Sequence, residues 1–253
     1  MKNIIIVTIL FISLSQISAQ DYTKSLQGIK KVKIYSATEV TLKAHNKNDL
    51  RIIGGEHIKT PEKAKGLKAV YSGGSDNTGL GVSVEREGDV LTVTNLRNIH
   101  GPHLDIFVSK SVNILIENTR IGSVNIAGFS SEIEAKTNVG HIIIKDVTGP
   151  IVAKSSTGEI NIIFNTISQS SPISIVSSTG DVDVSMPSST PANLNLKTAM
   201  GEIYTDFDIK FPEEAKNNMK IIGGKRSIST KLNNGGVDIT LRSSTGSIYL
   251  RKK

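Results

Sequence analysis

The chain has 253 residues, a formal net charge of +7, 4% aromatic residues, and neither cysteine nor tryptophan. Lack of cysteine excludes disulfides, thiolate metal sites, thiol nucleophiles and an N-terminal lipid on a lipobox cysteine. Basic residues are spread along the chain, with one small cluster at Arg251, Lys252 and Lys253. A nucleic-acid binder would concentrate them in a stripe beside aromatic platforms, so no nucleic acid is expected as partner. A mild attraction to anionic polysaccharide or lipid head groups is all the charge allows.

In chain order, the first element is an expected signal peptide, residues 1–19. Lys2 supplies its positive start, Ile4 to Leu14 its apolar core, and Ala19 the small residue before a cut at Gln20. The apolar core is shorter than the roughly 20 residues a bilayer span needs. No second apolar run of membrane length follows, so no transmembrane segment is expected in the mature chain. The expected location is extracytoplasmic: periplasm, cell surface or secreted. Residues 20–253 are enough to bury a core without disulfides.

Residues 20–118 read as a β-rich N-terminal cap or as irregular first coils. Strands are expected at Val32–Tyr35, Glu39–Ala44, Leu50–Ile53, Val82–Glu85, Val90–Thr94, Leu104–Val108 and Val112–Glu117. Gly54-Gly55, Gly73-Gly74 and Glu87-Gly88-Asp89 mark turns, and Thr60–Gly66 can make one helical turn. Gly79-Leu80-Gly81 precedes a strand and not a helix, so it is no dinucleotide-binding turn.

From 119 to 253 the chain repeats. Glycines at 122, 140, 158, 180, 201, 235 and 246 are each followed by apolar residues two and, with one exception, four positions on: Val124 and Ile126, Ile142 and Ile144, Ile160 and Ile162, Val182 and Val184. The later copies read Ile203 and Thr205, Val237 and Ile239, Ile248 and Leu250. Between them stand Asn125, Ile143, Asn161, Asp183, Tyr204, Asp238 and Tyr249, apart from Ile143 a clean alternation that makes each segment a half-buried strand. Before the glycines the alternation continues, as in Ile133, Ala135, Thr137 and Ile173, Ile175, Ser177. The unit is strand, tight turn, strand, with spacings of 18, 18, 22 and 21 residues, then 34 and 11. A period near 20 predicts an all-β fold, a parallel β-helix-like solenoid with one coil per repeat, stacked to bury a continuous apolar column. A sandwich of hairpins is the competing fold. The long spacing holds an expected loop insertion at about 206–226, rich in charge around Glu213, Glu214 and Lys216.

Asn138-Val139-Gly140, Ser156-Thr157-Gly158-Glu159-Ile160, Ser178-Thr179-Gly180-Asp181-Val182 and Ser244-Thr245-Gly246-Ser247-Ile248 carry a resemblance, joined by Asp146-Val147-Thr148-Gly149. They resemble the turn-and-strand signature of the bacterial adhesin-candidate family, domain of unknown function 4097. The resemblance runs from about Ile29 to Leu250 and is strongest after Gly122. It implies a parallel β-helix-like fold and an extracytoplasmic setting, and it brings no catalytic residues. The last repeat runs close to Lys253, and no C-terminal sorting or outer-membrane domain is expected after it.

Candidate ligand-binding residues come from two columns. One position after the glycine stand His141, Glu159, Asp181 and Glu202, expected on successive coils about 4.8 Å apart. Such a row of carboxylates would repel unless a cation or a basic ligand sits among them. They could instead meet sugar hydroxyls or a cationic partner, and a solvated rim with the repulsion screened by salt also explains them. Three positions after the glycine stand Asp183, Tyr204 and Tyr249, suited to hydrogen bonding and ring stacking. No cofactor and no metal are expected. His100, His103 and Asp105 lack a fourth ligand, and Gly223-Gly224-Lys225-Arg226 lacks the spacing of a phosphate loop. The expected function is an exported, non-enzymatic, adhesin-like binding protein of the bacterial envelope, its partner a polysaccharide or an envelope or host protein. Alternatives are a periplasmic scaffold that self-associates through strand ends, and a polysaccharide-active enzyme, which needs a carboxylate pair across a sugar.

Overall fold

The computed structural model describes residues 21–53, 62–67, 70–97, 101, 103–209 and 226–253. The expected signal peptide, most of the expected loop insertion, His100 and the glycine pair before Lys225 lie outside the described residues. The fold is all-β, a β-solenoid of two ten-stranded sheets with a single short 3-10 turn, Glu62–Ala64, among the described residues. That turn falls inside the stretch expected to coil once.

Each coil contributes a strand to sheet B, turns a tight corner, and contributes the next strand to sheet A. In the column the coils are β6 (Val90–Asn95) with β7 (Leu104–Ser109), β2 (Lys31–Ser36) with β3 (Val40–His45), β8 (Asn113–Ile121) with β9 (Val124–Ala127), and β10 (Ile133–Val139) with β11 (Ile142–Val147). Then follow β12 (Ile151–Thr157) with β13 (Ile160–Phe164), β14 (Ile173–Thr179) with β15 (Val182–Met186), β19 (Val237–Ser243) with β20 (Ile248–Lys252), and β16 (Ala192–Thr198) with β17 (Ile203–Thr205). Neighbouring coils pair in parallel and in register, Ile133 with Ile151 and Ile142 with Ile160. The inward residues of both sheets form one core: Ile142, Ile144, Ile160, Ile162, Ile175 and Leu241 are all fully buried. Burying each such side chain is worth about 1.5–3 kcal/mol, and no single coil could gain that alone.

The column does not follow chain order. After β15 the chain skips a level to make β16–β17, then returns and fills the gap with β19–β20. The start is permuted too, since β6–β7 stacks outside β2–β3. The sequence period had implied coils in succession. Every coil offers the same ladder and the same apolar row above and below, so local sequence does not choose its neighbours. What distinguishes β16 is its other edge, where β18 (Arg226–Leu232) pairs antiparallel over seven residues and closes sheet B.

The opposite end is closed in the same manner. In sheet A, β4 (Asp49–Ile53) pairs antiparallel with β7, and β1 (Asp21–Ser25), which the sequence had not signalled, pairs with β4. In sheet B, β5 (Val82–Glu87) pairs antiparallel with β6. A loop then stands in for a further strand against β5: the Asn77 amide donates to the Val84 carbonyl at 3.0 Å and accepts from the Val84 N–H at 2.9 Å. Unpaired strand edges template aggregation, and this loop blunts one.

Asp76 holds that loop together, accepting from the N–H groups of Thr78, Gly79 and Gly81 at 2.9–3.0 Å and from the Thr78 hydroxyl at 3.1 Å. Partial burial pushes its pKa up, but these hydrogen bonds outweigh burial and hold it below the ordinary carboxylate value. A carboxyl with a depressed folded pKa stabilises above its unfolded pKa, about 3.9, and the stabilisation is lost as pH falls through the lower folded value. We therefore expect the Gly79 and Gly81 amide resonances to titrate together with a midpoint below about pH 3.9. A midpoint at or above the free carboxyl value would contradict the arrangement.

Candidate functional site

The corners between sheet B and sheet A are built from three stacked columns. The first is the glycines themselves, in the order Gly122, Gly140, Gly158, Gly180, Gly246, Gly201. A Cβ on each of the last five would lie 2.0–2.4 Å from the carbonyl oxygen of the glycine before it. The second is the hydroxyl three residues earlier: Ser177, Ser243 and Thr198 are buried and donate to the carbonyls of Gly158, Gly180 and Gly246 at 2.8–3.0 Å. Buried carbonyls need such partners, which is why Ser and Thr recur at this otherwise apolar inward position.

The third column is the residue after the glycine, where the sequence had placed a candidate acidic site. Here the side chain of one coil accepts the N–H of the next: Ser123 Oγ from His141 N at 3.3 Å, His141 Nδ1 from Glu159 N at 3.3 Å, Asp181 Oδ1 from Ser247 N at 2.7 Å, and Ser247 Oγ from Glu202 N at 3.1 Å. These side chains satisfy corner N–H groups that the strand ladders leave over. Glu159 and Asp181 are on adjacent coils, but Asp181 and Glu202 are not, because the inserted coil puts Ser247 between them. The expected unbroken run of three carboxylates is therefore interrupted.

The outward face of sheet A gathers the other candidates. Insertion of β20 between β15 and β17 makes Tyr249 the neighbour of both Asp183 and Tyr204. The two tyrosine rings stack with centroids 5.2 Å apart and planes within 11°. Tyr204 is 51% exposed. Arg251 lies over the Tyr249 ring, 5.2 Å from its centroid, and grips Asp183 with Nε and Nη2 at 2.9 and 3.0 Å. Hydrogen bonding to Asp183, and then its charge, raise the guanidinium pKa still further. Arg251 was not among the sequence candidates. Its separation from Asp183 by 68 residues hid the pairing.

Asp238, counted in the same column from the Gly235 copy, is elsewhere. Gly235 precedes a strand of sheet B, so Asp238 faces out of that sheet and accepts from Asn193 at 2.9 Å. His103 pairs with Asp105 at 3.5 Å, and among the described residues no group of three or more His, Asp or Glu is placed to hold a metal ion.

From the Asp183 coil toward the middle of the column, sheet A carries a shallow depression of about 400 Å³ lined by His141, Ile143, Lys145, Glu159, Asn161 and Ile163. It adjoins a smaller one of about 150 Å³ where Ala127 lies low between Lys43 and Lys145. Depressions, Asp183–Arg251 pair and tyrosines form one strip along the column axis. Among the described residues no helix is long and apolar enough to cross a membrane.

Against known proteins, two solved structures are similar to this chain. One is a candidate cell adhesion protein from Clostridium sporogenes, 11% identical with a TM-score of 0.42, the match covering 92% of this chain and 99% of that one. The other is a candidate adhesin from Bacteroides fragilis, 14% identical with a TM-score of 0.41, covering 92% and 96%. No curated protein matches. The family model described as Toastrack DUF4097 matches residues 93–251, beginning inside β6 and ending inside β20. With well over half of its length matched, including every glycine corner, the chain belongs to the Toastrack family, domain of unknown function 4097.

Proposed function

We propose that the chain is an exported, adhesin-like binding protein that holds a saccharide against the sheet A strip, with Tyr204 as the stacking surface. The observation that carries this reading is the pair of parallel tyrosines ending in a half-exposed ring, next to an Arg–Asp pair and an amide, Asn161, on a flat face. Rings of this kind present an apolar face with a polar tip, which suits the alternating character of a sugar. Asp183, Tyr204 and Tyr249 make contact in this reading, while Asp181 braces the corner beside it, in the same column as Glu159 and Glu202. The acids argue against hydrolysis: Asp183 is held by Arg251 and Asp181 by the Ser247 N–H, so neither is set up to trade a proton with a sugar. Export by a signal peptide at 1–19 and an extracytoplasmic location belong to the same reading. So does the view of residues 20–118 as irregular first coils with their own end closure, and of 119–253 as the regular solenoid.

The test is a glycan array with the mature chain, followed by titration of the best ligand into Tyr204→Ala and Tyr249→Ala. Losing a stacked ring is expected to weaken binding by roughly tenfold, since such contacts are worth about 0.5–1.5 kcal/mol beyond burial. Tyr204 sits on an edge strand, so its variant should melt like the parent. If both variants bind the parent's glycans with parent affinity, the strip is not the binding surface.

A further inference from the structure

The outward face of sheet B carries a second feature, independent of the tyrosine strip. Its middle row runs Glu117, Lys136, Lys154, Val176, Arg242, Lys197 across β8, β10, β12, β14, β19 and β16, each residue a register partner of the next. Lys136 is neutralised by Glu134, 2.6 Å away on its own strand. From Lys154 onward the row itself holds no acid. Asp238, which faces out of the same sheet, stands four residues before Arg242 on β19 and accepts from Asn193, and among the described residues no carboxylate pairs with Lys154, Arg242 or Lys197. With coils about 4.8 Å apart, these three charges span about 14 Å in a straight line. Arg242 and Lys197 are direct neighbours, an arrangement that costs stability in a sheet because like charges directly opposite repel. An anion lying along the row removes that cost.

We propose that this row binds a linear acidic polysaccharide, its carboxylate or sulfate groups meeting Lys154, Arg242 and Lys197 while its hydroxyls meet the polar row alongside. That neighbouring row supplies Ser174, Thr240 and Asn195 on β14, β19 and β16. Single-stranded nucleic acid needs aromatic platforms between the cations, and these strands offer none on this face. A membrane surface would want a broad apolar face under the charges, where only Val152 and Val176 interrupt a polar one. Since sheets A and B cover opposite sides of the core, the protein would bind two ligands back to back, a saccharide on one face and a polyanion on the other.

The experiment is calorimetric titration of the whole mature chain with polygalacturonate at low and moderate salt, with neutral dextran, oligo-deoxythymidine and phosphatidylserine vesicles in parallel. Arg242→Gln/Lys197→Gln is compared with Lys47→Gln/Lys110→Gln, which removes the same charge from exposed positions outside the row. All four side chains stand on the surface, and matching thermal melts establish that both variants fold. The expected result is polygalacturonate binding that weakens with salt, falls roughly tenfold in the row variant and changes less than about twofold in the control. Tyr204→Ala should leave it untouched, which separates this proposal from the saccharide site on sheet A. Equal losses in the two charge variants, no binding of polygalacturonate, or tighter binding of oligo-deoxythymidine or vesicles would each overturn it.

Discussion

Gly158→Ala is expected to lower stability by about 3–5 kcal/mol, a large share of the roughly 5–15 kcal/mol a domain has in total. The new methyl would sit 2.0 Å from the Gly140 carbonyl oxygen, and the residue holds φ at +144°, where L side chains are strained. What stands in the way is backbone locked in the ladder of the next coil, so it cannot swing aside as a side-chain tip would. The same contact recurs at Gly140, Gly180, Gly246 and Gly201, so moving one corner disturbs the next. Gly88 provides the comparison. It also has positive φ, +60°, but nothing lies within 4 Å of its missing Cβ. Gly88→Ala should therefore cost only the left-handed penalty of about 1–2 kcal/mol. Urea denaturation followed by circular dichroism measures both. Equal midpoint shifts would mean that the corner contact is not what requires glycine.

Leu241→Asp is expected to cost about 4 kcal/mol or more and to release the whole end of the column. Leu241 is fully buried in β19, with Ile175 as register partner on one side and Leu196 on the other. A carboxylate there has no polar partner and cannot reach water. Because the β19–β20 coil lies between β15 and β17, its loss also strands β16, β17 and β18. Hydrogen exchange should show protection falling together across Ala192–Thr205 and Arg226–Lys252, while β8 to β13 stay protected, as nearest-neighbour coupling in a solenoid requires. If the coils were stacked in chain order, Leu241 would lie at the end, and exchange in β16 would hardly change.

The repeat legible in the sequence came from two local constraints. Alternation along a strand is set by backbone geometry, so Ile142 and Ile144, or Ile173 and Ile175, declare an inward face with no knowledge of their neighbours. The corner glycine and the hydroxyl before it follow from a tight turn stacked on its own copy, which any two coils reproduce. That is why the strands of both halves, the buried Ser and Thr positions and the solenoid itself were readable, and why β1, short and mostly exposed, was not. The candidate site was readable only in part. Tyr204, Tyr249 and Asp183 were correctly expected to face outward in one column. Their meeting, the grip of Arg251 on Asp183, and the interruption of the acidic column by Ser247 all depend on which coil lies beside which.

By itself, then, the sequence determined the coil: its length, its inward and outward residues, and the glycine at its corner, all fixed by interactions within one repeat and its like. The tertiary structure alone decided the order of the coils. Each coil shows nearly the same ladder and apolar row on both sides, so the choice falls to contacts between distant segments, such as the antiparallel pairing of β18 with β16. The composition of both outward faces, the tyrosine strip and the cationic row alike, follows from that order.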